Sequence, residues 1–430
     1  MGKTTVATGL MAAFAARGRR VGAAKVGPDF IDPGYHALAT GRPARNLDAW
    51  MCGDDAIAPL AVRAGDGCDL LIIEGVMGLF DGAGSGSFAS TAHVAGLLGA
   101  PVVLVVDAGA MSASVAALVH GFTSYDPDVR VAGVILNRVG SDSHEQLLRA
   151  ALSPGGVPVL GVLRRDAALA WRDRHLGLVP VVEQPDRIRA TLDRLAAAID
   201  RGCDLEAVEV AARSAPPQPA DPLREPERWA GGAVPIAVAG GPAFSFMYPD
   251  NLSALGAAGA EIIPFDPLEC ASVPDGARGL IVGGGFPEVY AARLGGNTPL
   301  LDDVRAKVTG GLPTWAECGG LLWLGRTLDD EPMTGVLPAD GRMTSALTLG
   351  YRQATTHTSS PLGPAGTVVK GHEFHYSTID PGGDALEMTG RTGPARGGFA
   401  SPTLLASYLH VHLATRPDLA ERFVATCAPL

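Results

Sequence analysis

The chain has no unbroken apolar run of about 18 residues, the length a membrane-crossing helix needs, so no span is expected. No basic segment precedes a short apolar stretch near the front, so no secretory leader is expected either. Basic charge is in short supply: 34 Lys and Arg stand against 45 Asp and Glu, for a net charge of −11. That balance excludes non-specific nucleic-acid binding as a main role. Cysteine is sparse as well. Six are scattered at Cys52, Cys68, Cys203, Cys270, Cys318 and Cys427, with no C-x-x-C pair, which suits neither a zinc site nor a disulfide framework. There is no repeat with a period of roughly 20 to 50 residues. A cytoplasmic enzyme that stays off membranes and nucleic acids is the class left standing.

What is present starts at once. Met1-Gly2-Lys3-Thr4-Thr5 leads into a helical pattern over 6–17. Gly-Lys-Thr opening a helix is the second half of the phosphate-binding pattern G-x-x-x-x-G-K-[ST]. Amides at a helix start face an anion, and the helix dipole favours negative charge there. Lys3 is placed to reach the outer phosphates of a nucleotide, and the Thr4 hydroxyl to sit on Mg²⁺. The first glycine of the pattern and a strand to carry it are not in the sequence. The expectation is that they are encoded in frame upstream of Met1.

Length and pattern give two domains. At 430 residues, 47% of them apolar, the chain can bury a sizeable core in each. Apolar runs at 20–26, 69–74, 101–107, 131–137 and 157–163, separated by helical patterns, predict a parallel sheet in an α/β domain over 1–211. The proline-rich stretch around 214–222 marks a linker at 212–232. Runs at 235–239, 261–265, 279–282 and 312–316 predict a second α/β domain over 233–430.

Two acids and a lysine stand where ligands bind in such sheets, at or just after the carboxyl ends of strands. Glu74 ends one strand, and the glycine-containing stretch 75–82 behind it carries Asp81. Lys25 ends another, followed by what reads as one loop over 25–36 with Asp29, Asp32 and His36. Asp48 adds an acid a little further on.

In the second half, Glu317-Cys318-Gly319-Gly320 reads as strand, sharp turn and helix. A side chain on such a turn is exposed at the top of the sheet, and a helix start behind a cysteine favours the thiolate. A base is needed, and His410 and His412 both offer one. Gly283-Gly284-Gly285 offers amides for an oxyanion hole. The stretch 371–376, Gly-His-Glu-Phe-His-Tyr, alternates like a strand. That puts His372 and Phe374 on one face and Glu373 and His375 on the other, which speaks against a metal site.

Together the stretches 25–34, 74–82, 371–376 and 407–410 resemble the cobyrinic acid (or hydrogenobyrinic acid) a,c-diamide synthase family, over nearly the whole chain. The resemblance implies a P-loop-type, dethiobiotin-synthetase-like parallel-sheet domain followed by a class I glutamine amidotransferase-like domain. It implies ATP- and glutamine-dependent amidation of the a and c acetates of a corrin, cobyrinate or its cobalt-free counterpart hydrogenobyrinate. Carried over by motif, Gly2, Lys3, Thr4, Thr5, Lys25 and Asn137 contact nucleotide, and Thr4, Asp48 and Glu74 hold Mg²⁺. Cys318 becomes the nucleophile, His410 its base, and Gly284 and Gly285 line the glutamine site. The acidic third member of the catalytic set is expected to be weak or missing, and pairing of two copies through the nucleotide domain fits the resemblance. The competing expectations are another tetrapyrrole, as in cobyric acid or nickel-sirohydrochlorin amidation, and a non-catalytic partitioning-type P-loop protein.

Overall fold

The computed structural model describes residues 2–166, 173–174, 177–178, 180–218, 222–391 and 393–429. The chain divides into two compact units, Met1–Pro222 and Leu223–Leu430.

Unit 1 alternates helices and strands. Its elements run α1 (Lys3–Ala16), β1 (Val21–Val26), α2 (Ile31–Thr40), β2 (Arg45–Leu47), α3 (Ala49–Cys52), α4 (Ile57–Gly65), β3 (Leu70–Glu74), α5 (Thr91–Leu98) and β4 (Val102–Asp107). There follow α6 (Ser114–Ser124), β5 (Val131–Val139), α7 (Asp142–Leu152), β6 (Val159–Arg164), a short antiparallel pair β7 (Asp173–Arg174) and β8 (Gly177–Leu178), α8 (Pro185–Gly202) and α9 (Leu205–Ala212). Helix α1 is apolar almost all round and correspondingly buried, with Val6, Leu10, Met11 and Phe14 in the core. Gly9 lets it lie close against α8, since a Cβ there would stand 2.7 Å from Ile199 and 2.8 Å from Leu195. Helix α8 meets it with a stripe of Ile188, Leu192, Leu195 and Ile199.

The expected parallel strands are there, in two sheets of three rather than one. The orders are β2-β1-β3 and β4-β5-β6, every neighbour parallel. Strand β1, flanked on both sides, is buried along its whole length, whereas β3 and β4, each the end strand of its sheet, are half-exposed at most positions. A single core cluster built on α1 takes in β1 residues Val21 and Ala23 and β5 residue Ile135, so one helix covers both sheets.

Unit 2 runs β9 (Val234–Ala239), α10 (Pro249–Ala257), β10 (Ala260–Phe265), β11 (Gly279–Val282), α11 (Ala291–Gly296), α12 (Thr298–Thr309), β12 (Thr314–Glu317) and α13 (Gly319–Leu324). It continues β13 (Thr327–Leu328), β14 (Glu331–Pro332), β15 (Asp340–Thr356), β16 (Val368–Asp380), β17 (Leu386–Gly390), β18 (Ala395–Gly397), β19 (Phe399–Ser401), β20 (Leu404–Ser407), β21 (His410–Val411) and α14 (Pro417–Cys427). Strands β10-β9-β11-β12-β20 form a parallel sheet, with β19 antiparallel at its edge. A second, mostly antiparallel seven-stranded sheet, built on the long β15–β16 hairpin, was not foreseen from sequence beyond the alternation at 371–376. Its pairing of β16 with β21 sets His372 opposite His410.

Candidate active sites

In unit 1 the candidate residues collect where β1, β2 and β3 end and α1 begins. Gly2 sits in the left-handed region at φ 86°, which glycine adopts without a Cβ penalty, and turns the chain into α1. Thr4 Oγ1, in the first turn, lies 2.8 Å from Glu74 Oε1 and 3.2 Å from Asp32 Oδ2. Thr5 follows it in the same turn. Lys25 comes from the last turn of β1, where the register sets it beside Glu74. Its Nζ, almost fully buried, is 2.6 Å from Asp32, 2.9 Å from Glu74 and 3.8 Å from Asp29. Glu74 also meets His36 Nε2 at 2.7 Å.

The electrostatics follow from crowding. Burial alone would strip the Lys25 proton, but Glu74 and Asp32 outweigh it and hold the ammonium above its ordinary value. Burial likewise opposes the Glu74 charge, and the bonds from His36 and Lys25 outweigh it, so this carboxylate stays below the ordinary range. Lys3 is pulled the other way, lowered first by burial and next by Lys25, with Glu74, Asp32 and Asp81 opposing. A half-buried lysine beside a second lysine, at a helix start, is a place that an anion relieves.

The stretch 25–36, read as one loop, is a loop only as far as Phe30. Helix α2 starts at Ile31, its entry fixed by Asp29 Oδ1 accepting the Ile31 amide at 2.8 Å. This correction matters because the helix is what carries His36 onto Glu74 and Asp32 onto Lys25 and Thr4. Asp48 stands at the carboxyl end of β2, and its Oδ1 caps α3 by accepting the Trp50 and Met51 amides, both at 2.9 Å. Asn137 lies near the carboxyl end of β5 with its side chain against Gly2, leaving no room for a Cβ on that glycine. Asp81 Oδ2 accepts the Gly78 amide at 2.8 Å and shapes its own loop.

The oxygens of Thr4, Asp32 and Glu74 form a hard donor set suited to Mg²⁺. Among the described residues no group of three or more His, Cys, Asp or Glu is arranged to cage a metal. Mg²⁺ does not need one, because it binds through one or two carboxylates together with phosphate oxygens and water.

Unit 2 is built around one backbone strain. Cys318, between β12 and α13, has φ 49° and ψ −100°, outside the ordinary regions for a non-glycine residue. Its amide donates to Ser407 O at 2.8 Å, tying the turn to β20. Two glycines accommodate the bend. A Cβ on Gly319 would lie 3.0 Å from Pro287 and 3.1 Å from Gly285 N, and one on Gly320 would strike the backbone of Val282. His410 hydrogen-bonds Cys318. Its ring lies over Gly284, where a Cβ would stand 2.5 Å from Cε1 and 3.3 Å from Nε2. Burial favours a neutral His410, but the bonds to Cys318 and Glu317 outweigh it and lift the imidazole to about 10.

Of the two histidines offered by the sequence, His410 is the one at the sulfur. His412 Nε2 lies 3.9 Å from Asp250 Oδ2, and its ring is 4.7 Å from that of Tyr248. The oxyanion reading needs one correction. Gly284 donates its amide to Phe246 O at 3.1 Å, so it contributes space for His410 rather than a donor. The Gly285 amide nitrogen lies beside the sulfur-bearing turn, 3.1 Å from where a Cβ on Gly319 would stand.

Residues 1–178 match the CobQ/CobB/MinD/ParA nucleotide binding domain, and residues 235–418 match the CobB/CobQ-like glutamine amidotransferase domain. The chain is similar to the hydrogenobyrinate a,c-diamide synthase of Streptomyces coelicolor, 50% identical over 99% of this chain and 95% of that one. It is 46% identical to the hydrogenobyrinate a,c-diamide synthase of Mycobacterium tuberculosis, covering 99% and 95%. With the cobyrinate a,c-diamide synthase of a Synechococcus strain it shares 42% identity, covering 99% and 96%. The chain belongs to the a,c-diamide synthase family.

Within that family frame, sequence reasoning missed two acids as site residues. Asp32 was seen only as part of a loop, although it touches both Thr4 and Lys25. Glu317 stands in the Glu-Cys-Gly-Gly run without a role from sequence, where the acid of the catalytic set was expected to be weak or missing. Its carboxylate meets His410 Nδ1 at 3.3 Å and accepts the Val411 amide at 3.0 Å. The motif at 371–376 is a strand, as its alternation indicated, and the two faces do part company: His372 stacks on His410 at 4.9 Å, while Glu373 pairs with Arg352 at 2.7 Å and His375 stacks on Tyr408 at 3.7 Å.

Proposed function

We propose that this chain is an ATP- and glutamine-dependent carbon–nitrogen ligase that converts the a and c acetates of a corrin, hydrogenobyrinate in the first place, to amides in cobalamin biosynthesis. The observation that carries the reading is the Cys318–His410 pair on its glycine-lined turn, in a chain whose other unit gathers Lys3, Lys25, Thr4 and Glu74 at a helix start. The cobalt-free substrate is favoured over cobyrinate by the gradient among relatives. Those named for hydrogenobyrinate share 50, 48 and 46% identity, and those named for cobyrinate share 42, 44 and 40%.

In unit 2, the Cys318 thiol proton passes to His410, and the thiolate of the resulting ion pair attacks the glutamine side-chain carbonyl carbon. The Gly285 and Gly319 amides steady the oxygen that becomes negative. His410 then returns the proton to the departing nitrogen, which leaves as ammonia, and water cleaves the thioester to glutamate. In unit 1, Lys3 and the amides at the start of α1 hold the outer phosphates, and Asn137 beside Gly2 takes the nucleotide's base. Thr4, Glu74 and Asp48 are the residues assigned to Mg²⁺, with Asp32 added by its contact to Thr4. The ion supplies charge neutralisation as the phosphoryl group moves to the corrin carboxylate. Lys25 pairs with Glu74 and Asp32 and presents its charge towards the γ-phosphate. Ammonia displaces phosphate from the acyl phosphate and leaves the amide.

The test is mass spectrometry of hydrogenobyrinate and cobyrinate, each incubated with the protein, ATP, Mg²⁺ and glutamine. Exchange of two OH groups for NH₂ in hydrogenobyrinate, with matched consumption of ATP and glutamine, is the expected result. Amidation of neither corrin overturns the reading, and amidation of cobyrinate alone overturns the substrate choice.

A further inference from the structure

Four facts converge on the residue that precedes the nucleophile. Glu317 is the last residue of β12 and is 1% exposed, so its carboxylate has no water to meet. One of its oxygens, Oε2, is 3.3 Å from His410 Nδ1. The other, Oε1, accepts the amide of Val411, the next residue along, at 3.0 Å. His372 stacks on the ring of His410 at 4.9 Å and 22°. A buried carboxylate normally finds several donors or costs several kcal/mol. Here both donors belong to the two-residue strand that carries the base.

We propose that Glu317 is the positioning carboxylate of the glutaminase site, completing a Cys318–His410–Glu317 set in which the acid is supplied by the residue just before the nucleophile. The proposal deepens the glutaminase reading above and rests on it. By accepting from Nδ1–H, Glu317 fixes the tautomer that leaves Nε2 to receive the thiol proton. By accepting the Val411 amide it also sets the distance of β21 from β12, and so the reach of the imidazole. It takes no part in proton transfer itself. The proton passes from Sγ to Nε2 and then to the leaving nitrogen, and Glu317 stabilises the imidazolium that exists in between.

Alternation of strand residues explains why this geometry is available. Glu317 at the end of β12 is in register with Ser407 of β20, three residues before His410. The chain therefore returns to Glu317 directly after leaving the parallel sheet. His412, which follows His410 by two, is engaged elsewhere with Asp250 and Tyr248. The titratable groups close to His410 are Cys318 and Glu317 at the nucleophile turn and His372 and His375 from β16. Of these only Glu317 brings an acceptor to Nδ1, so removing its charge lowers the pH at which His410 loses its proton.

The experiment compares the full chain with Glu317→Gln, Glu317→Asp and Cys318→Ser. Glutaminase kcat and KM are measured from pH 6 to 11, together with the pH dependence of Cys318 alkylation followed by peptide mass spectrometry. Ammonia-supported amidation serves as the control for folding. Glu317→Gln is expected to lower kcat by roughly 10²- to 10⁴-fold with KM within a few-fold, as loss of the orienting acid does in other three-member sets. The alkaline limit of alkylation moves to lower pH, and Glu317→Asp restores that limit. A Gln variant with wild-type kcat and an unmoved alkaline limit overturns the proposal. Should the Gln variant fail to fold, the ¹⁵N-histidine spectrum of the wild-type chain decides: a proton on His410 Nδ1 is expected, and a neutral ring protonated only on Nε2 overturns it. If the wild-type chain shows no glutaminase activity, the broader reading falls, while the alkylation profile still reports on Glu317.

Discussion

The two units put their chemistry in the same place, at the carboxyl ends of parallel strands, and build it from opposite materials. Unit 1 assembles charge: Lys3 of α1, Lys25 of β1, Asp29 of the loop behind it, Asp32 of α2 and Glu74 of β3 gather where each acts on its neighbours' charge. Unit 2 assembles shape. One cysteine at φ 49° is pressed against a base by glycines that leave no space for a Cβ, and the surrounding rings are histidines and tyrosines. A charge cluster waits for a charged ligand and tolerates small displacements, because Coulomb attraction falls slowly with distance. A nucleophile and its base do not, because proton transfer needs contact.

That contrast can be broken in order of severity. Cys318→Ser should abolish glutamine hydrolysis while leaving ammonia-supported amidation in place, read from glutamate release and from amide formation with an ammonium salt. Loss of both would tie the units' chemistry together more tightly than their separate construction suggests. Lys25→Ala leaves Glu74 and Asp32 buried with their common cation gone. A cost of roughly 3–5 kcal/mol is expected for stranding a buried charge, seen as an early thermal transition and lost ATP binding. Gly284→Ala is gentler on stability, but its methyl displaces the His410 ring. A fall of about 10² in glutaminase kcat, with ATP binding unchanged, is the expected result.

The pH limits of the two sites should lie at opposite ends. Glu74 is held below its ordinary value of 4.5, so its contribution to stability is complete above that value and fades as the pH drops below it. His410 is lifted from 6.5 to about 10, so its contribution is complete below 6.5 and fades as the pH rises through about 10. Separate unfolding probes in each unit, followed from pH 2 to 11, would show unit 1 failing first in acid and unit 2 in base. The smallest effect is expected at Asp48. Asp48→Asn keeps an oxygen to cap α3 and should change stability by only a few tenths of a kcal/mol. A rise in the Mg²⁺ concentration needed for ATP binding, at unchanged stability, would mark Asp48 as a metal ligand as well as a cap.

Much of both sites was legible in the sequence, and for local reasons. Gly2-Lys3-Thr4, the Glu74 strand end and the Glu-Cys-Gly-Gly turn are short runs in which residue type and neighbours already imply a conformation. Nine strands, β1, β3 to β6 and β9 to β12, lie within a residue or two of the apolar runs that announced them, whereas the mostly antiparallel sheet of unit 2 had no such run. The start of α2 at Ile31 was hidden, because Pro28, Pro33 and Gly34 all read as turn residues. Proline is tolerated in the first turn of a helix, and there Pro33 marks a start rather than a break. The role of Gly284 was half seen: its lack of a side chain matters, but for the ring above it rather than for its own amide.

By itself the sequence determined two α/β units and the choice of family, and it pointed to the helix start and the cysteine on which the proposed chemistry rests. These depend on local backbone preference and on burial patterns that recur every two or 3.6 residues. Tertiary structure alone decided the partners. His410 rather than His412 meets Cys318, Asp32 joins Thr4, and Glu317 reaches a ring 93 residues away. Which side chains converge is fixed by strand register and by where each helix enters: a shift of one residue would turn a strand's side chains to the opposite face and swing a helix's by about 100°.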